Sequence, residues 1–119
     1  MKKFKIEIYQ KENGEKPIID FLNSLECKIR AKVEQLIKLL EERGNELKEP
    51  YSKSLKDGIF ELRYQNKRQS ARILYFFYYE GKIILTNGFV KKTRKTPKDE
   101  IKRAERYRKD FIERNKNES

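Results

Sequence analysis

The chain has 119 residues and carries 30 Lys and Arg against 19 Asp and Glu, a formal charge of +11. A charge of that sign attracts polyanions: nucleic acid, an anionic membrane or an acidic protein. Its 7 Phe and 7 Tyr exclude a disordered polycation, while the absence of His and the presence of 1 Cys exclude a histidine general base, an internal disulfide and the common zinc sites.

The length suits one domain spanning residues 1–119, and the aromatic set is enough for one core, each buried ring removing about 150–250 Å² from water. The lone Cys27 points to a reducing, cytoplasmic setting. Residues 4–9 alternate apolar and polar, which predicts a half-buried strand rather than a signal peptide or membrane span. Asn13-Gly14 is a turn, and Pro17 suits a first helical position. Ile18, Phe21, Leu22 and Leu25 then recur at helical spacing. A second amphipathic helix follows, with Ile29, Val33, Leu36, Ile37 and Leu40 on one face and Gly44 as its stop. The two helices read as a pair laid on a sheet.

Residues 45–56 are polar and read as a connection. Asp57-Gly58 turns into a strand at Ile59–Tyr64, the loop Asn66-Lys67-Arg68-Gln69 leads to a strand at Ala71–Tyr79, and Glu80-Gly81 turns into a third at Lys82–Val90. Three consecutive strands with tight loops predict an antiparallel meander. Ile73–Tyr79 is apolar on both faces, so both faces of that strand should be covered. Pro97 opens a last helix with Ile101, Ala104, Tyr107, Arg108 and Phe111 along one stripe. The expected fold class is α+β: a small, twisted, mainly antiparallel sheet with an N-terminal helical pair packed on it and a C-terminal helix.

Strand register points to a site. A two-residue Lys67-Arg68 loop places Arg63 directly opposite Arg72, an arrangement that destabilises a sheet unless an anion lies between the two. A Glu80-Gly81 turn puts Phe89 beside Arg72 and Lys91 one diagonal step away, giving a cationic row of Arg63, Arg72 and Lys91 that a β-bulge would break. The run Lys91-Lys92-Thr93-Arg94-Lys95 lies at its rim as a phosphate clamp, and Arg68 in the preceding loop joins it. Phe89 on an open face would stack on a base. Tyr75, Tyr78 and Tyr79 read as core, Asp99 and Glu100 as ordinary first-turn acids, and Cys27 as a small residue at a helix start.

The series Lys56-Asp57-Gly58-Ile59-Phe60-Glu61-Leu62-Arg63, then Ala71-Arg72-Ile73-Leu74-Tyr75-Phe76, then Gly88-Phe89-Val90-Lys91-Lys92-Thr93 resembles the RelE/ParE toxin superfamily, and within it the phage-derived HigB-like branch. The resemblance covers nearly the whole chain. It implies a RelE-like fold and a toxin of a type II toxin–antitoxin system. Such a toxin is a ribosome-dependent, metal-independent endoribonuclease (an mRNA interferase) that uses no cofactor. Its implied partners are mRNA on the ribosome and a cognate antitoxin, often of helix-turn-helix type, bound through the sheet edge or the N-terminal helices. By position, Arg63, Arg72 and Lys91 or Lys92 match the basic catalytic residues of such toxins, and Arg68, Phe89, Thr93, Arg94 and Lys95 make up the RNA-binding set. Some relatives place a Tyr or His where this chain reads Thr93-Arg94-Lys95-Thr96-Pro97-Lys98, which leaves the proton-transfer residue open. A ParE-like inhibitor of a topoisomerase and a plain basic RNA-binding module are the competing expectations.

Overall fold

A computed structural model describes residues 4–92 and 94–116. The elements in chain order are β1 (Lys5–Ile8), α1 (Pro17–Ser24), α2 (Cys27–Arg43), β2 (Ser52–Lys56), β3 (Ile59–Gln65), β4 (Ser70–Tyr78), β5 (Lys82–Val90) and α3 (Lys98–Arg114), with 3-10 turns at Gly44–Glu46 and Tyr79–Gly81. The five strands form one sheet in the order β1-β5-β4-β3-β2. No helix among the described residues is long and apolar enough to cross a membrane.

The architecture is α+β, but two features depart from the sequence reading. First, β1 pairs in parallel with β5, so the sheet is mixed; the other three pairings are antiparallel. A parallel pair needs a crossover, and the α1–α2 segment lies within the one that joins these strands. Second, the segment expected as a polar connection contains β2, which makes the meander four strands long rather than three. Its sequence, Ser-Lys-Ser-Leu-Lys, shows little apolar alternation because it forms a sheet edge, where lysines discourage pairing with another chain. The turn that joins it to β3 is diagnostic. Asp57 and Gly58 have φ of 49° and 83°, and Lys56 pairs with Ile59, the two-residue primed turn that matches the twist of a hairpin.

Both faces of the sheet are covered, as the two-sided apolar run in β4 predicts. One face carries α1 and α2. Ile18, Leu22, Val33 and Leu40 pack there against Leu62, Ile73, Tyr75, Ile83 and Leu85. The other face carries α3, whose Ala104 and Phe111 pack on Ile59, Leu74, Phe76, Ile84 and Phe89. Tyr75 is core, and its hydroxyl is satisfied by a hydrogen bond with the buried Ser52 Oγ of β2. Gly88 lets α1 approach closely, since a Cβ there would stand 2.3 Å from the Phe21 ring.

A polar clasp holds α3 to the N-terminal strand. Tyr9 Oη donates to Asp110 Oδ2 at 2.6 Å, the Tyr9 and Tyr107 rings stack at 4.6 Å, and Arg114 pairs with Asp110 at 2.7 Å. Burial and the Asp110 carboxylate push the Tyr9 phenol up to about 12. At the other end of the helix, Asn87 Nδ2 of β5 donates to Glu100 Oε1 at 3.0 Å and to the Glu100 carbonyl at 3.2 Å. Glu100 therefore ties α3 to β5 and makes no capping bond at the helix end. The two ties set the angle of α3, which covers one end of its sheet face and leaves the other to polar side chains.

Candidate functional site

That other end is built by register. Arg63 of β3 opposes Arg72 of β4, as the short β3–β4 loop predicts. Asn66 organises the loop, its side-chain oxygen accepting from the N–H groups of Arg68 at 2.8 Å and Gln69 at 2.7 Å. The β4–β5 hairpin reaches the expected register by a different route. Its turn takes three residues, with Glu80 at φ 63°, so that Tyr78 opposes Lys82. A bulge between Leu74 and Tyr75 then shifts the ladder by one and restores Arg72 opposite Phe89. Thr86, the extra residue at the bulge, is fully buried and donates from Oγ1 to the Leu74 carbonyl at 3.0 Å. The two departures cancel. Lys91 N donates to Ser70 O at 2.7 Å, which sets Lys91 one step beyond the Arg72–Phe89 pair.

Arginines opposed across a ladder need an anion, and the chain supplies one itself. Glu61 of β3 is 1% exposed; its Oε1 lies 2.9 Å from Arg72 Nε and 3.5 Å from Arg63 Nε. Thr96, just ahead of α3, donates its hydroxyl to Glu61 Oε2. The Arg72 guanidinium is 2% exposed and spends its remaining donors on the protein: Nη1 on the carbonyls of Tyr64 and Ala71, each at 3.0 Å, and Nη2 on Gln65 Oε1 at 3.5 Å. Its Nε–H is not aimed along the line to Glu61, so that contact is an ion pair rather than an aligned hydrogen bond. Burial pulls the Arg72 guanidinium below its ordinary value; Glu61 opposes this and Arg63 adds repulsion.

The accessible cations lie around this buried pair. Arg63 keeps a quarter of its side chain exposed and reaches Glu49 Oε1 from Nη1 at 3.5 Å. Lys91 is half-buried and makes no ion pair among the described residues. Burial is the largest influence pulling its ammonium below the ordinary lysine value; Glu61 counters it, and Arg72, Arg63 and Lys53 add repulsion. Lys53 of β2 pairs across the ladder with Glu61, so its side chain emerges on the same face.

The expected row therefore exists with a different internal order. Arg63, Arg72 and Lys91 come together, but Arg72 is the buried member and Arg63 and Lys91 face outward. Lys92, Arg68, Arg94 and Lys95 are exposed. Thr93 lies outside the described residues. Phe89 does stand beside Arg72, but only 9% of it is exposed and it packs in the α3 core, which leaves its ring no open face for a base. Tyr79 is 78% exposed, but at the β4–β5 turn, the opposite end of β4 from Arg72. Cys27 begins α2 and is exposed.

Three members were not legible as such in the sequence. Lys53 sits on the strand read as a loop, and the primed Asp57-Gly58 turn was the available signal for it. Glu61 reads as an ordinary solvated strand residue. Nothing in the sequence marks Thr96 as its partner. Among the described residues, no group of His, Cys, Asp and Glu side chains is arranged to hold a metal ion.

A protein-family model described as phage-derived protein Gp49-like (DUF891) matches residues 20–109, from α1 through most of α3 and across the whole site. No curated protein matches the chain at a significant level. With the family model covering well over half of its length, the chain belongs to the phage-derived Gp49-like family.

Proposed function

We propose that this chain is the toxin of a type II toxin–antitoxin pair and arrests translation by cutting mRNA on the ribosome. The Gp49-like family is associated with toxins of toxin–antitoxin systems. The β2–β5 meander between a helical pair and a C-terminal helix also accords with the RelE-like fold that the motifs imply. The observation that carries the nuclease reading is Lys91: a half-buried lysine that makes no direct ion pair among the described residues and feels the repulsion of Arg63 and Arg72, at the open end of a strongly basic sheet face. A cation kept away from full hydration, whose one nearby carboxylate, Glu61, is already engaged by two arginines, is poised for an anionic ligand.

In this reading a ribose 2′-hydroxyl attacks the adjacent phosphate. The bond to the 5′-oxygen breaks, leaving a 2′,3′-cyclic phosphate on one fragment and a 5′-hydroxyl on the other. Arg63 and Lys91 bind the non-bridging oxygens and stabilise the charge that builds there. Lys92 lies next in the chain and steadies the charge on the leaving 5′-oxygen, which takes up a proton from solvent to become the 5′-hydroxyl. Arg72 does not grip the phosphate in this arrangement; with Glu61 it forms the strut that holds Arg63 in place. In this reading the 2′-hydroxyl proton goes to Glu49, the carboxylate 3.5 Å from Arg63 Nη1. Holding the message in line is left largely to the ribosome. Arg68, Arg94 and Lys95 add to the field that draws RNA, and a cognate antitoxin neutralises the toxin by covering this face.

The test is to map mRNA 5′ ends after brief induction of the unmodified chain, Arg63→Ala and Lys91→Ala. New 5′-hydroxyl ends inside translated frames, lost in both variants, are the expected result. Growth arrest with intact mRNA would overturn the nuclease reading in favour of a ParE-like inhibitor of a topoisomerase, which the internal neutralisation of Arg72 favours.

A further inference from the structure

Helix α2 begins in a way that helix energetics disfavour. Glu26 at its N-cap makes no side-chain capping bond, and the first turn holds no acidic residue. Lys28 stands there instead, with Lys32 one turn further on along the same face, both exposed. Lys28 adds positive charge where the unsatisfied N–H groups already concentrate it, and like charges at the Lys28–Lys32 spacing repel. Arg30 is paired with Glu34 at 3.2 Å, but Lys28 and Lys32 have no ion-pair partner among the described residues.

The two lysines border an open cleft of roughly 760 Å³ whose other wall is the β3–β4 loop and the end of β5. That wall contributes Arg68, Lys91 and Lys92, so five cations face a single carboxylate, Glu26. Asn66 spends its side-chain oxygen on bracing the loop, which keeps Arg68 at the rim. Lys91 belongs to both places: it borders the cleft and also feels Glu61, Arg72, Arg63 and Lys53 at the site. The cleft thus opens onto the site and carries its positive charge around the end of the sheet toward the helical face.

We infer that this cleft is a second RNA-binding track, which takes the single-stranded segment adjoining the phosphate held at Arg63 and Lys91. Lys28, Lys32 and Arg68 neutralise the backbone of that segment, independently of its sequence. An acidic peptide would meet the same charges, but continuity through Lys91 favours a polymer that runs through both places. The inference rests on the RNA reading of the site.

The experiment uses the full chain and two fluorescent 2′-O-methyl oligouridylates, a trinucleotide and a decamer, neither of which has a free 2′-hydroxyl to attack. Binding is followed by anisotropy across a salt series for the unmodified chain and for Lys28→Ala/Lys32→Ala. Both lysines are exposed and unfavourably charged for their positions, so the double variant should melt no lower than the unmodified chain. At low salt it should bind the decamer about tenfold more weakly, and its log–log salt slope should become shallower by about 1.4, two phosphates at about 0.7 each. The trinucleotide should bind both proteins equally. A decamer that binds both proteins alike, or an equal loss for the two probes, overturns the track while leaving the site intact. Failure of the unmodified chain to bind either probe at low salt overturns the RNA reading itself. A decaglutamate peptide that binds the unmodified chain more tightly than the decamer assigns the cleft to a protein partner and also overturns the inference.

Discussion

Replacing Glu61 with glutamine preserves the size of the side chain and deletes one buried charge. Arg72, only 2% exposed, is then a buried cation whose nearest charged neighbour is Arg63, a like charge. Its bonds to the carbonyls of Tyr64 and Ala71 survive, but they satisfy donors without neutralising the charge. Removing one partner of a buried ion pair costs about 3–5 kcal/mol. Repulsion from Arg63 pushes the cost up, and the freedom of Arg63 to swing toward Glu49 and solvent pulls it down. Against a typical total stability of about 5–15 kcal/mol, the loss is about a fifth or more. For a chain of this size each kcal/mol moves the melting midpoint by about 3–5 °C, so Glu61→Gln should melt about 10–20 °C lower. Replacing both partners, as Glu61→Leu/Arg72→Met, removes the stranded charge and should recover most of that loss. The assay is thermal and urea unfolding of the unmodified chain, both Glu61 variants and Arg72→Met, read as a double-mutant cycle. A Glu61→Gln midpoint within about 2 °C of the unmodified chain, or a double variant no better than the worse single one, would refute the strut argument.

Lys91→Ala should leave the melt nearly unchanged yet slow cleavage about 10²–10³-fold, the usual effect of removing one donor from a developing charge; single-turnover cleavage on programmed ribosomes measures it. Tyr9, raised to about 12 in the fold from an unfolded value near 10, should contribute stability that is fully present below about pH 10 and lost as pH rises through about 12. In Tyr9→Phe, urea unfolding across that window should show a slope against pH shallower by one proton, and an unchanged slope would refute the clasp. Gly88→Ala should cost about 1–3 kcal/mol by equilibrium unfolding, because the new methyl meets the Phe21 ring at 2.3 Å in a packed layer. Gly58→Ala should cost about 1 kcal/mol in the same assay, since only the primed turn, with φ 83° at this position, lets β2 return alongside β3.

Features written in local chemistry were legible in the sequence. Helical spacing marked α1 and α2, Pro17 and Gly44 bounded them, and the two-sided apolar run in β4 announced a sheet covered on both faces. The short Lys67-Arg68 loop was enough to oppose Arg63 and Arg72, because a hairpin's turn length sets its register. The β4–β5 register agreed only because a longer turn and a bulge cancel, and nothing local predicts that compensation. β2 escaped notice because an edge strand has one neighbour and little need of an apolar pattern, leaving its turn as the only marker.

The pairing of Glu61 with Arg72 was decided by tertiary structure. A glutamate flanked by Phe60 and Leu62 reads as the solvated side of a strand, but it is buried, with Thr96, on the segment leading into α3, closing over its carboxylate. Arg72, paired with Glu61 and bonded to the Tyr64 and Ala71 carbonyls, lies inside while Arg63 and Lys91 stay at the surface, which reverses the expected roles. Residue type and turn chemistry determined which charges share a face. Which of them meets solvent depended on partners brought in by the fold, such as Thr96, 35 positions beyond Glu61, and no local pattern encodes that, because burial is set by distant parts of the chain.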